Sequence, residues 1–108
     1  MAFQLGASLL EACVLAVLAR GDTYGYILTQ NIRSIIEISE STLYPVLRRL
    51  QKDNCLTTYD QPCQGRNRRY YRITEEGKQR LEQYMRDWSE YKEKVDLVLS
   101  GGINHECK

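Results

Sequence analysis

Between Leu9 and Ala19 the only polar residue is Glu11, so the first predicted helix, about Gln4 to Arg20, is apolar nearly all round. Such a helix has to be covered on more than one side. Gly21-Asp22 stops it. A second helix is predicted after Asp22 or Thr23, either of which can cap it. Its apolar positions Tyr24, Ile27, Leu28, Ile32 and Ile35 recur at helical spacing, and Gly25 marks close packing. A third helix starts near Ser39 to Ser41 and ends by Asn54. Leu43, Val46, Leu47 and Leu50 form its core stripe, with Tyr44, Arg48, Arg49 and Lys52 off the stripe. Pro45 is tolerable only near a helix start, which pins the beginning just upstream.

Leu56 to Gln61 then alternates as a strand, Pro62 to Asn67 as a turn and Arg68 to Ile73 as a return strand. Alternation puts Tyr71 and Ile73 on the core face and Arg68, Tyr70 and Arg72 outward. Thr74 caps a fourth helix, with Glu75 and Glu76 in its first turn, and Gly101-Gly102 stops it after about Ser100. Along it Leu81, Tyr84, Trp88, Tyr91, Val95 and Val98 repeat at alternating spacings of three and four, a heptad stripe. One small domain has nothing left to cover this stripe and the second side of the first helix. Both point to a second copy of the chain, with Leu9 and Cys13 joining the stripe in the seam. The expected architecture is mainly α with a small β-hairpin. Residues 1–74 form a winged helix-turn-helix, 75–100 a long C-terminal dimerisation helix and 101–108 a flexible tail.

The net charge of the 108 residues is +1, which hides an uneven distribution. Residues 41–73 carry seven basic side chains against two acidic ones, net +5, while the segments before and after are each −2. A basic patch confined to the predicted third helix and hairpin suits a phosphate backbone. Arg66, Asn67 and Arg68 at the hairpin, with Arg69 beside them, can reach phosphates or a minor groove, and Gly65 allows close approach. Charged edge strands also serve simply to prevent aggregation. Ser39, Ser41, Thr42 and Tyr44 at the start of the third helix can bond phosphates or base edges, although Ser39 or Ser41 also reads as an ordinary cap. Arg48 and Arg49 are either groove contacts or solvated surface.

Other chemistry is thin. Cys13, Cys55, Cys63 and Cys107 form no C-x-x-C pair, and the single histidine, His105, lies near the end, so no metal or other cofactor is expected. Cys13 reads as a small core side chain. Cys55 and Cys63 across a strand would stand about 25 Å apart, beyond disulfide reach. No signal peptide is evident, and the apolar run from Ala12 to Ala19 is too short to span a membrane, so a cytoplasmic protein is expected. No nucleophile motif, phosphate loop or carboxylate pair suggests an enzyme. Trp88 reads as core packing or, paired across a two-fold axis, as one wall of a flat slot. Ala12 and Ala16 lie opposite it on the first helix. Glu11 faces either solvent or a cationic ligand.

Three motifs carry a resemblance: Tyr24-Gly25-Tyr26-Ile27, then Ser41-Thr42-Leu43-Tyr44-Pro45-Val46-Leu47, then Gly65-Arg66 with Tyr70-Tyr71-Arg72-Ile73-Thr74-Glu75-Glu76-Gly77. With them the chain resembles the PadR family of transcriptional regulators, in its short form with a single C-terminal helix. The resemblance implies a homodimer on double-stranded DNA with a palindromic operator, acting as a repressor. Some short members resemble multidrug sensors that hold a planar aromatic small molecule between two tryptophans at the dimer centre. The likeness maps that role to Trp88, with Ala12, Met85 and Lys92 lining the site, and Glu11 as the candidate substitute for the acidic group of those sensors. Lys92 departs from those sensors, in which an acidic group helps attract cations, so the resemblance does not extend to a preference for cationic molecules. Two alternatives stand beside this reading: a DNA-binding dimer with no effector, and a winged helix used only for protein association.

Overall fold

A computed structural model describes residues 7–101. The expected helix start at Gln4 and the tail with His105 and Cys107 lie outside the described residues. The elements are α1 (Ala7–Ala19), β1 (Thr23–Tyr24), α2 (Gly25–Arg33), α3 (Glu40–Lys52), β2 (Leu56–Cys63), β3 (Arg66–Ile73) and α4 (Glu75–Leu99). The three strands form one antiparallel sheet in the order β1-β3-β2.

One side of α1 builds the core. Its Leu10, Val14, Leu15 and Leu18 meet Leu28 and Ile32 of α2, and Leu43, Val46, Leu47 and Leu50 of α3. Cys55 and Leu56 close the base, and Tyr71 and Ile73 pack from β3, as alternation requires. Each fully buried leucine contributes about 1.5–3 kcal/mol of transfer free energy. The core therefore secures α3 by its whole apolar stripe. Ser39 caps α3, its hydroxyl accepting from the Thr42 N–H at 3.3 Å. At the other end Asn54 adopts φ 66°. The Cys55 N–H reaches the Leu50 carbonyl at 2.8 Å and the Asn54 N–H the Gln51 carbonyl at 3.1 Å. That pair of bonds is a Schellman ending. Pro45 sits at the sixth position of α3, one turn deeper than the sequence suggests. It costs the helix the bond to the Ser41 carbonyl, on the exposed side.

Several expectations are corrected. Neither Asp22 nor Thr23 caps α2. Thr23-Tyr24 instead pairs with Tyr71 and Tyr70 of β3, and α2 begins at Gly25 with no side-chain cap. A two-residue strand has no local signature, because its stability comes entirely from its partner. Ile35 lies beyond the end of α2 and is 86% exposed, while Ile36 and Ile38 pack on the core in its place. The hairpin turn is only Gln64-Gly65, with φ of 54° and 79°, so both strands are longer than predicted. Two consecutive positive φ values make the tight turn that matches strand twist. Close packing falls on Gly77 rather than Gly25. A Cβ on Gly25 would meet the Tyr44 ring at an ordinary 3.8 Å, whereas one on Gly77 would stand 2.3 Å from the Cys55 carbonyl oxygen.

Thr74 caps α4 through the Gly77 N–H at 3.0 Å. Leu81 and Tyr84 pack against the core. Beyond Tyr84 every α4 residue except Val95 is exposed, including Met85, Trp88, Tyr91, Leu97, Val98 and Leu99. Among the described residues, nothing in one chain covers that apolar stripe.

Candidate nucleic-acid interface and the adjoining cavity

The first half of α3 and the hairpin meet at a cleft of about 280 Å³. It is lined by Tyr24, Gly25 and Tyr26 at the start of α2, Tyr44 of α3, and Asn67, Arg68, Arg69 and Tyr71 of β3. Ser41, Thr42 and Tyr44 are exposed along this half of α3, and Arg48 is exposed one turn further on. The Ser39 hydroxyl, occupied as the cap, also bonds the hydroxyls of Ser41 at 3.1 Å and Thr42 at 2.9 Å. Ser39 therefore orders the helix start. The uncapped beginning of α2 opens on the same cleft, with its unpaired N–H groups and positive dipole end.

On the hairpin, Arg66, Asn67 and Arg69 are exposed. Arg69 shares the sheet face of Tyr71 and lies against the cleft. Its link to Asp60 is a loose 3.9 Å surface pair, of little energetic weight. Arg68 is on the opposite face, as alternation predicts, but it is half-buried. Its guanidinium lies 4.6 Å over the Tyr24 ring. It ends a ladder in which Tyr24 meets Tyr70 edge-on, Tyr70 stacks on Tyr59 and Arg72 covers Tyr59. Asp22 anchors the far end, accepting from the Tyr59 hydroxyl at 2.8 Å and Arg72 Nε at 3.0 Å. The ladder braces the hairpin. The sequence reading places Arg66 and Arg68 ahead of Arg69; in the structure Arg68 and Arg69 both line the cleft, Arg69 from the sheet face of Tyr71. The signal was present, because residues 69, 71 and 73 share one face.

The second half of α3 is tied inward. Glu11 is 5% exposed. Its carboxylate accepts from Arg49 Nη1 at 2.9 Å and from the Tyr84 hydroxyl, and Arg80 Nη1 stands 3.9 Å away. Arg80 also donates to Asp53, which caps the end of α3, at 3.1 Å. Asn54 donates to Glu76 and accepts from Thr74 at its carbonyl, at 2.7 Å. Burial, then the bond to Glu11, pushes the Tyr84 phenol up to about 12, so it remains a donor. Glu11 does not face solvent, because burying a carboxylate demands partners and it has recruited them. Arg49 is not idle surface: nearly half-exposed, it is bonded through Nη1 to Glu11.

On the second side of α1 a cavity of about 350 Å³ is lined by Leu9, Ala12, Cys13, Ala16, Ile36, Leu81, Tyr84, Met85 and Trp88. Ala12 and Ala16 of α1 do share this cavity with Trp88, and Met85 joins them. Glu11 and Lys92 are not in the lining. Lys92 pairs along the helix with Asp96 at 3.5 Å. Trp88 is 45% exposed and adjoins the Tyr91 ring at 6.4 Å. Of the seam residues expected at an interface, Leu9, Cys13, Leu81 and Tyr84 cluster here. Tyr91, Val95 and Val98 continue along α4. Among the described residues no group of His, Cys, Asp or Glu could hold a metal, and no helix is long and apolar enough to cross a membrane.

The model of the transcriptional regulator PadR-like family matches residues 14–83, from α1 through the hairpin into α4. A transcriptional regulator of Mycobacterium tuberculosis is 35% identical over 88 residues, covering 81% of this chain and 78% of its own. The crystal structure of a Streptococcus mutans UA159 protein superposes with a TM-score of 0.88 at 42% identity, covering 98% of this chain and all of that one. A PadR family transcription regulator from Clostridium difficile R20291 gives 0.78 at 29% identity, over 83% and 97% of the two chains. The chain thus belongs to the PadR-like family and is a DNA-binding transcriptional regulator of winged-helix fold, not an enzyme.

Proposed function

We propose that the chain is a cytoplasmic homodimeric repressor, released from a palindromic operator by a planar aromatic molecule. The DNA contacts are Ser41, Thr42, Tyr44 and Arg48 on α3, reading the major groove, with Arg66, Asn67 and Arg69 on phosphates beside it. Ser39 serves as the cap and Arg68 as a braced flank of the wing. The observation that carries this reading is the cleft where Tyr44 meets Asn67 and Arg69. It sets an exposed polar helix start and an arginine-rich hairpin on one surface. The second copy covers the α4 stripe from Trp88 to Val98 and the second side of α1. Two heads on such a dimer read half-sites about one helical turn apart or a small multiple of that. The cavity between Ala12, Ala16 and Trp88 has an apolar wall and a flat aromatic surface, which suit a planar ring.

The test is binding to the DNA upstream of the gene, followed by fluorescence anisotropy across salt concentrations. Arg66→Ala with Arg69→Ala removes two phosphate contacts. The salt slope should become shallower by about 0.9 for each, with folding unchanged. Upstream DNA bound no better than random duplex would overturn the reading. Trp88 is the only tryptophan, so a planar dye should quench emission saturably, and the same dye should weaken operator binding. Quenching with no loss of DNA affinity would leave the DNA reading intact and remove the effector.

A further inference from the structure

Glu11 is a buried acid that neither DNA contact nor the cavity lining uses. It is placed where three helices meet. One oxygen takes Arg49 on α3, and the other takes the Tyr84 hydroxyl on α4. The ring of Tyr84 forms part of the cavity wall beside Trp88. A second line of bonds runs parallel to the first at the end of α3: Arg80 to Asp53, Asn54 to Glu76, and Thr74 to the Asn54 carbonyl. The second half of α3 is thus fastened to α4 at its last turn and through Glu11 one turn earlier. Two attachments along a helix fix its direction as well as its position. The exposed first half, with Ser41, Thr42 and Tyr44, is carried by that direction.

We propose that Glu11 is the positioning residue of α3, holding Arg49 away from DNA and linking the angle of the recognition helix to α4 through Tyr84. This rests on the reading that α3 enters a DNA groove. It has two consequences. First, Glu11 suppresses binding to random DNA, because a released Arg49 on a basic surface becomes an extra phosphate contact. Second, movement of α4 or of the cavity wall at Tyr84 reaches α3 through two hydrogen bonds. A merely structural acid would stabilise the fold without altering how the protein ranks DNA sequences.

The experiment measures affinity for upstream DNA and for random duplex, over a range of salt, in the parent, Glu11→Gln, Tyr84→Phe and the double variant. Glu11→Gln keeps shape and removes charge. Its ratio of specific to random binding should fall about tenfold, the scale of one lost base contact. Its salt slope on random DNA should steepen by about 0.9. Tyr84→Phe removes one hydroxyl and should lower the ratio about threefold, with no further effect in the Glu11→Gln background, because both act through the same carboxylate. Circular dichroism checks the fold, and Tyr84→Phe provides the answer should Glu11→Gln not fold. A folded Glu11→Gln with the parent's ratio and slope would overturn the proposal, as would a Tyr84→Phe effect that adds fully to it or is absent. A parent that does not prefer its upstream DNA overturns the DNA reading, and this inference falls with it.

Discussion

The two ends of α3 obey different rules, although they share one helix and one core stripe. Toward the start, Ser41, Thr42 and Tyr44 are exposed, as is Arg48 one turn on, and among the described residues their side chains hydrogen-bond only within the hydroxyls around the Ser39 cap. At the end, Arg49, Asp53 and Asn54 are each bonded to α1, α4 or the turn before α4. Arg48 and Arg49 are neighbours with the same charge, one presented outward and the other held. Basic residues on a DNA-binding helix are therefore not interchangeable counts of charge. Their worth depends on what the fold has already given them to bind.

The strongest way to break this comparison is to remove each arginine in turn. Arg49→Ala strands a buried carboxylate with one hydroxyl and a guanidinium at 3.9 Å. The loss should be about 1–3 kcal/mol, the cost of an unsatisfied buried group. Arg48→Ala, on the exposed side, should stay within about 0.5 kcal/mol. Urea unfolding of the two variants decides it, and equal losses would dissolve the distinction.

Gly77→Ala tests the fastening at the end of α3 more locally. An alanine in a helix normally gains up to about 1 kcal/mol over glycine. Here its Cβ would fall 2.3 Å from the Cys55 carbonyl oxygen and 2.8 Å from Ile73 Cγ1. Overpacking against backbone should reverse the sign, with a net loss of about 1–2 kcal/mol, read from thermal unfolding. A gain in Tm would mean that the junction yields.

The smallest effect sharpens the Glu11 end alone. The folded Tyr84 phenol titrates at about 12 and the ordinary one near 10. Between those pH values the folded chain keeps a proton that the unfolded chain gives up, so this contribution to stability is full below pH 10 and declines as pH rises to about 12. Alkaline unfolding followed in parent and Tyr84→Phe should show a shallower decline in the variant. Identical slopes would show that Tyr84 contributes no such term.

The parts legible from sequence are those in which each residue's neighbour in space is also near in the chain. The α3 stripe, the Ser39 and Thr74 caps, the hairpin and the α4 heptads all follow from periods of 3.6, 2 and 3.5 residues and from local turn chemistry. The same patterns carried the family motifs and so the class of function. Thr23-Tyr24 escaped this logic, because two residues become a strand only when β3 arrives beside them. Arg68 looked free until Tyr24, 44 positions earlier, lay under it.

The chain by itself determined which residues would form helices and strands, which faces would be apolar and where positive charge would gather. Tertiary structure alone decided how that charge is used. Glu11 meets Arg49 across 38 positions and Tyr84 across 73. No periodicity encodes such a meeting. It follows from the packing of α1 against α3 and α4, which takes one carboxylate out of water and makes it seek the donors within reach.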